Sequence, residues 1–135
     1  MSIFADEEFV EVEVKYVETN GNIVIINNIK LEEKYKGKYN TIKTKWLKEN
    51  FKSSNDIMRN CMTFNAATGQ PMVDAGLFRD SRIKTFMKEW DVKDKDDYPI
   101  ALTPEKIDSL KSPIANALLN EYDRKVSGSE EELGN

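Results

Sequence analysis

A chain of 135 residues fits one domain, and folding at this size removes roughly two thirds of the extended-chain surface from water, enough for an ordinary core without covalent staples. With no histidine and a single cysteine, the chain cannot build a Cys/His zinc site, a Ser-His-Asp triad or a Cys-His dyad from its own residues. A formal charge of −4 and a pI near 5.0 argue against bulk attraction to nucleic acid or anionic lipid, and no apolar run reaches the ~20 residues of a membrane span. The acidic opening MSIFADEEF lacks the basic and apolar regions of a secretory signal, so the protein is expected to stay where it is made.

Residues Phe9 to Val17 alternate, with Val10, Val12, Val14 and Tyr16 on one face and Phe9, Glu11, Glu13 and Lys15 on the other, the period of a half-buried strand. Asn20-Gly21 favours positive φ and a tight turn, and the β-branched run Ile23 to Ile26 supplies the return strand, which predicts a β-hairpin over about 9–31. Asn27-Asn28 reads as a bulge or strand end, with Ile29 and Leu31 resuming the alternation toward Lys34.

Lys34 to Lys52 carries seven lysines and one glutamate, a net of +6, whereas Asp6 to Glu33 carries eight acids and two lysines, a net of −6. Tyr35, Tyr39, Trp46 and Phe51 interleave with these lysines, a combination that single-stranded nucleic acid can use for stacking and phosphate neutralisation. The preferred reading is plainer: the acidic hairpin complements this basic face internally, and nucleic acid is a minor alternative. Within 41–52, alternation favours a third strand, giving strands over about 9–50 that end in a turn at Lys52-Ser53-Ser54.

Ser54 then caps a helix over about 54–64, with Asp56 in the first turn and Ile57, Cys61, Met62 and Phe64 inward. Cys61 reads as a small core residue, because no basic partner or second thiol is evident to activate it. Residues 65–71 form a loop by their Thr-Gly and Pro signals. Asp74 caps a helix over about 74–90, whose Leu77, Phe78, Ile83, Phe86, Met87 and Trp90 form an apolar stripe opposite Arg79, Asp80, Arg82, Lys84, Lys88 and Glu89.

Asp94, Asp96 and Asp97 lie among lysines next to Pro99 in a charged loop, a solvated setting and not the pocket that acid–base catalysis by paired carboxylates requires. Thr103-Pro104-Glu105 starts a helix with a hydroxyl cap and a proline whose missing N–H costs nothing there, and Ser112-Pro113 repeats the device. Two short helices, about 104–111 and 113–126, follow, with Ile107, Leu110, Ile114, Ala117, Leu118 and Tyr122 inward and Leu119 left on a flank. The stretch 127–135 has no apolar period and a net of −3, which predicts a disordered acidic tail.

The sum is a single α+β domain over residues 1–126, an N-terminal antiparallel hairpin or meander followed by a C-terminal helical part (about 54–64, 74–90 and 104–126). No catalytic, cofactor-binding or metal-binding residue is expected. Trp46, Trp90 and Leu119 are the candidate partner contacts.

From Phe64 onward, an NAATG turn, RDSRIKTFMKEWDV, a proline-preceded extended stretch, TPEKIDSL and IANALLNEYDRK follow in a fixed order. This half of the chain resembles the tail assembly chaperones of long-tailed bacteriophages, small proteins encoded between the major tail protein and the tape measure protein. The resemblance implies N-terminal strands, C-terminal helices, no enzymatic activity and no cofactor. It implies as partners the tape measure protein and the major tail protein, with a homo-oligomer left open and no membrane. It places the protein in the host cytoplasm during assembly and outside the mature virion. A structural or connector protein of the virion is the alternative, followed by a nucleic-acid-binding or host-directed phage protein.

Overall fold

The valine alternation at the start of the chain decides which side of the sheet becomes the core. The computed structural model describes residues 8–127. In chain order its elements are β1 (Phe9–Thr19), β2 (Asn22–Ile25), α1 (Ile29–Tyr35), β3 (Asn40–Leu47), α2 (Phe51–Asn60), β4 (Met62–Phe64), β5 (Pro71–Val73), α3 (Ala75–Phe86), β6 (Met87–Trp90), α4 (Pro104–Asp108) and α5 (Ser112–Ser127). The fold is α+β, with a four-stranded antiparallel sheet in the order β2-β1-β3-β6 and α5 laid across β1 and β2.

Asn20 and Gly21 take φ of 52° and 80°, the left-handed pair that turns β1 tightly into β2. The β1–β3 register sets Val10 against Trp46, Val12 against Thr44 and Val14 against Ile42, so the expected apolar face is continuous across both strands. Trp46 and Val12 are fully buried there. Their polar neighbours are satisfied in series: the Trp46 indole donates to Thr44 Oγ1 at 2.6 Å, and that hydroxyl donates to the Val12 carbonyl at 2.7 Å.

Tyr122 on α5 closes the core against this sheet. Its ring stacks on Trp46 at 4.4 Å and on Phe86 at 5.9 Å between centroids, while its hydroxyl donates to the Leu47 carbonyl at 2.9 Å and accepts from the Glu49 N–H at 3.0 Å. Val14, Ile57, Cys61, Ile83, Met87, Ile107, Ile114, Leu118 and Leu119 complete the buried cluster.

Several expectations are corrected. The segment after β2 is helical from Ile29, because Asn28 is an N-cap whose side chain accepts from the Leu31 N–H at 2.9 Å, where a bulge and further strand were expected. The next helix begins at Phe51 under Asn50, not at Ser54, since Asn50 and Ser53 form a reciprocal capping box; it ends at Asn60. Met62 to Phe64 leaves the predicted helix to pair with Pro71 to Val73, and Met62 and Phe64 point outward.

The helix after Asp74 stops at Phe86, and Met87 to Trp90 becomes an edge strand on β3. Met87 and Trp90 satisfy helical spacing equally well, but pairing with β3 buries Met87 and uses backbone groups that would otherwise be orphaned at the sheet edge. Thr103 caps α4 as expected, although α4 is shorter than 104–111. Ser127 ends α5, and the rest of the predicted tail lies outside the described residues.

Candidate interaction surface

Of the three candidate contacts, two are core residues. Trp46 is 0% exposed because the strand period places it with Val12 on the inner face. Leu119 is 3% exposed, since α5 has neighbours on two sides: Leu118 and Tyr122 belong to the core at the sheet, while Leu119 lies with Ile83, Ile107 and Leu110 of the α3–α4 side. Neither offers a surface to a partner in this arrangement. Trp90 is half-buried and occupied, its indole donating to the Ile100 carbonyl at 2.7 Å, which pins the stretch after β6 to the sheet.

That stretch is ordered by its own acids. Asp94 accepts from the Asp96 and Tyr98 N–H groups at 2.8 and 3.0 Å, so one of the three clustered carboxylates is a turn-former. Among the described residues, no three of Cys, Asp and Glu gather closely enough to hold a metal ion, and no helix is long and apolar enough to cross a membrane.

The lysine-rich segment meets acids within the fold. Lys45 and Lys43 of β3 lie opposite Glu11 and Glu13 of β1, and ion pairs join Lys45 to Glu89 at 3.7 Å, Lys48 to Glu8 at 3.6 Å and Lys52 to Asp56 at 2.7 Å. Two cations also lie by rings, Lys45 at 4.6 Å from the Phe9 ring centre and Lys15 at 5.3 Å from that of Tyr39, whereas Phe51 of the lysine-rich segment stays 86% exposed.

Arg82, expected on the solvent side of its helix, is buried. Its guanidinium bonds Glu49 at 3.1 Å and Asp123 at 2.6 Å and lies over the rings of Phe78 and Tyr122. It thereby joins α3 to α5 and to the linker before α2. This is a structural tie, with both carboxylates committed to it.

Exposed apolar side chains stand singly at Ile29, Phe51 and Tyr98, and several gather on one element, the hairpin β4–β5. Every residue from Met62 to Met72 is exposed, and Phe64 is 72% exposed. The register Met62↔Val73, Thr63↔Met72 and Phe64↔Pro71 places Met62, Phe64 and Pro71 on one face and Met72 on the other. Asn65 shapes the tip, accepting from the Ala67 and Thr68 N–H groups at 2.8 and 3.2 Å, and Gly69 supplies the left-handed φ of 69°. At the base, the Asp74 N–H donates to the Cys61 carbonyl at 2.8 Å, and Asp74 also caps α3.

Exposed Met58 on α2 and Leu77 on α3 flank the base of this hairpin along the chain. Single exposed apolar residues are ordinary, but a projecting hairpin that carries Met62, Phe64, Pro71 and Met72 together is the kind of surface a partner covers. Sequence reasoning passed over it. The signal was the pair of short runs MTF and PMV around a loop containing Gly69, which reads as a hairpin once Phe64 is not assigned to a helix.

No protein-family model matches the chain, and no curated protein and no solved structure is significantly similar to it.

Proposed function

We propose that this chain is a non-enzymatic phage tail assembly chaperone that binds the tape measure protein and helps tail tube assembly. The observation that supports this reading is the β4–β5 hairpin, a solvent-exposed apolar element held by its own turn and base. A tape measure protein exposes long apolar helical stripes until the tube closes round it. Covering such stripes stabilises the complex by about 25 cal/mol per Å² of apolar area removed from water. Methionine suits this task, because its flexible thioether chain adapts to varied apolar surfaces, and Met58, Met62 and Met72 lie on or beside the hairpin. Release follows when major tail protein subunits compete for the same surface.

Co-expression with the long helical protein encoded downstream tests the reading. The chain should raise that protein's soluble yield and co-purify with it, and Phe64→Ser with Met72→Ser should abolish both effects while leaving the chain folded. Finding the protein as a stoichiometric component of purified virions would instead favour a structural connector.

A further inference from the structure

The strand β1 is 11 residues long and β2 only 4, so one edge of β1 is half uncovered. β2 pairs with Tyr16 to Thr19, and the Ile26 N–H adds one more bond to the Lys15 carbonyl at 2.8 Å. Among the described residues, no strand pairs with the same edge from Phe9 to Val14. The two-residue period turns the backbone groups of Glu13, Glu11 and Phe9 to the edge on which Lys15 meets Ile26. There the Glu11 carbonyl accepts from the Lys125 ammonium at 2.6 Å, a side-chain donor standing where a strand amide would lie. Beside this edge a groove of about 790 Å³ runs between Glu13–Lys15, the α5 flank at Asn116 and Asn120, and the chain corner that follows β2.

We propose that this edge accepts a further strand: an extended segment of another protein, with Lys or Arg at alternate positions and β-branched apolar residues between them. Main-chain bonds to Glu11 and Glu13 hold the segment, and its alternate side chains set the choice of partner. Its outward side chains lie beside Glu11 and Glu13, as Lys45 and Lys43 do on the β3 side; among the described residues these two glutamates form no ion pair. Its inward side chains lie beside Val10, Val12 and Val14. A second copy of β1 fits poorly. Antiparallel pairing about Val12 sets Glu11 against Glu13, a like-charge contact, and the registers that would match a glutamate with Lys15 require an edge group of Lys15, whose carbonyl is already held by the Ile26 N–H.

The test titrates the full ¹⁵N-labelled chain with an acetylated Lys-Val-Lys-Val-Lys-Val peptide and follows amide exchange. Saturable binding should newly protect the Glu11 and Glu13 amides, while those of Val10 and Val12, already turned to β3, stay as they were. Glu13→Pro removes an N–H that β3 does not use, a substitution an edge strand tolerates, and should weaken binding about tenfold or more. E11K/E13K, at two exposed positions, should shift preference about tenfold toward a Glu-Val-Glu-Val-Glu-Val peptide, and it carries the test should Glu13→Pro fail to fold. Absence of saturable binding, or binding indifferent to the charge reversal, would overturn the proposal. So would a wild-type dimer in sedimentation that Glu13→Pro dissolves, which assigns the edge to a second copy. Glu11 and Glu13 amides already protected in the free monomer would assign it to this chain's own residues.

Discussion

Removing one oxygen from Tyr122 separates the two ways this side chain holds the core. Tyr122→Phe keeps the ring between Trp46 and Phe86, so no cavity opens, but it deletes the bonds to the Leu47 carbonyl and the Glu49 N–H. Two hydrogen bonds at roughly 0.5–1.5 kcal/mol each give an expected loss of about 1–3 kcal/mol, read at pH 7 as a lower urea midpoint with an unchanged m-value. The same substitution has an alkaline signature. Burial, helped by the negative charge of Glu49, pushes the Tyr122 phenol well above its ordinary value. The unfolded phenol ionises near about pH 10 while the folded one stays neutral, so the unfolded state binds fewer protons above that point. The Tyr122 contribution is therefore complete below about pH 10 and declines as pH rises toward the folded pKa, with a limiting slope of about 1.4 kcal/mol per pH unit. The wild type should lose stability more steeply than Tyr122→Phe between about pH 10 and 11, the other titrating groups being common to both. A loss under about 0.5 kcal/mol together with parallel alkaline slopes would refute this account of the core.

Phe86→Ala should cost about 3–5 kcal/mol in chemical denaturation, whereas Phe64→Ala on the exposed hairpin should change stability by under about 0.5 kcal/mol; equal effects would show that hairpin and core are wrongly distinguished. Arg82→Ala should destabilise by about 2–3 kcal/mol, less than a fully buried pair because Asp123 and Glu49 retain some solvent. Arg82→Met should cost less in urea melts, since it keeps apolar contact and removes the buried Nε, which has no hydrogen-bond partner among the described residues. Because Lys43, Lys45 and Lys48 lie near carboxylates, single-stranded DNA should bind only weakly and be released by about 150 mM salt; micromolar binding there, measured by fluorescence anisotropy, would contradict the internal pairing of this face.

Features that depend on a few neighbouring residues were legible in the sequence. The β1 face followed from a two-residue period, the first turn from Asn20-Gly21, and the α3 and α4 starts from Asp74 and Thr103, whose side chains bond amides within one helical turn. Asn28 and Asn50 carried the same kind of signal, but each stood after a strand-like pattern that competed with it. Features that depend on distant partners were not legible. Met87 to Trp90 fits a helix or a strand by spacing, and only the free edge of β3 decided between them. Arg82 sits at a polar position of its helix, and its burial required Glu49 and Asp123 to converge from other elements. Leu119 became core because α5 is covered on two sides, and Phe64 became surface because, among the described residues, its strand pairs only with β5. The sequence by itself determined the α+β class, the core face of the first hairpin and the opposition of acidic and basic segments. The tertiary structure alone decided which apolar residues remain in water, because exposure depends on which elements meet, and periodicity specifies only which residues share a face.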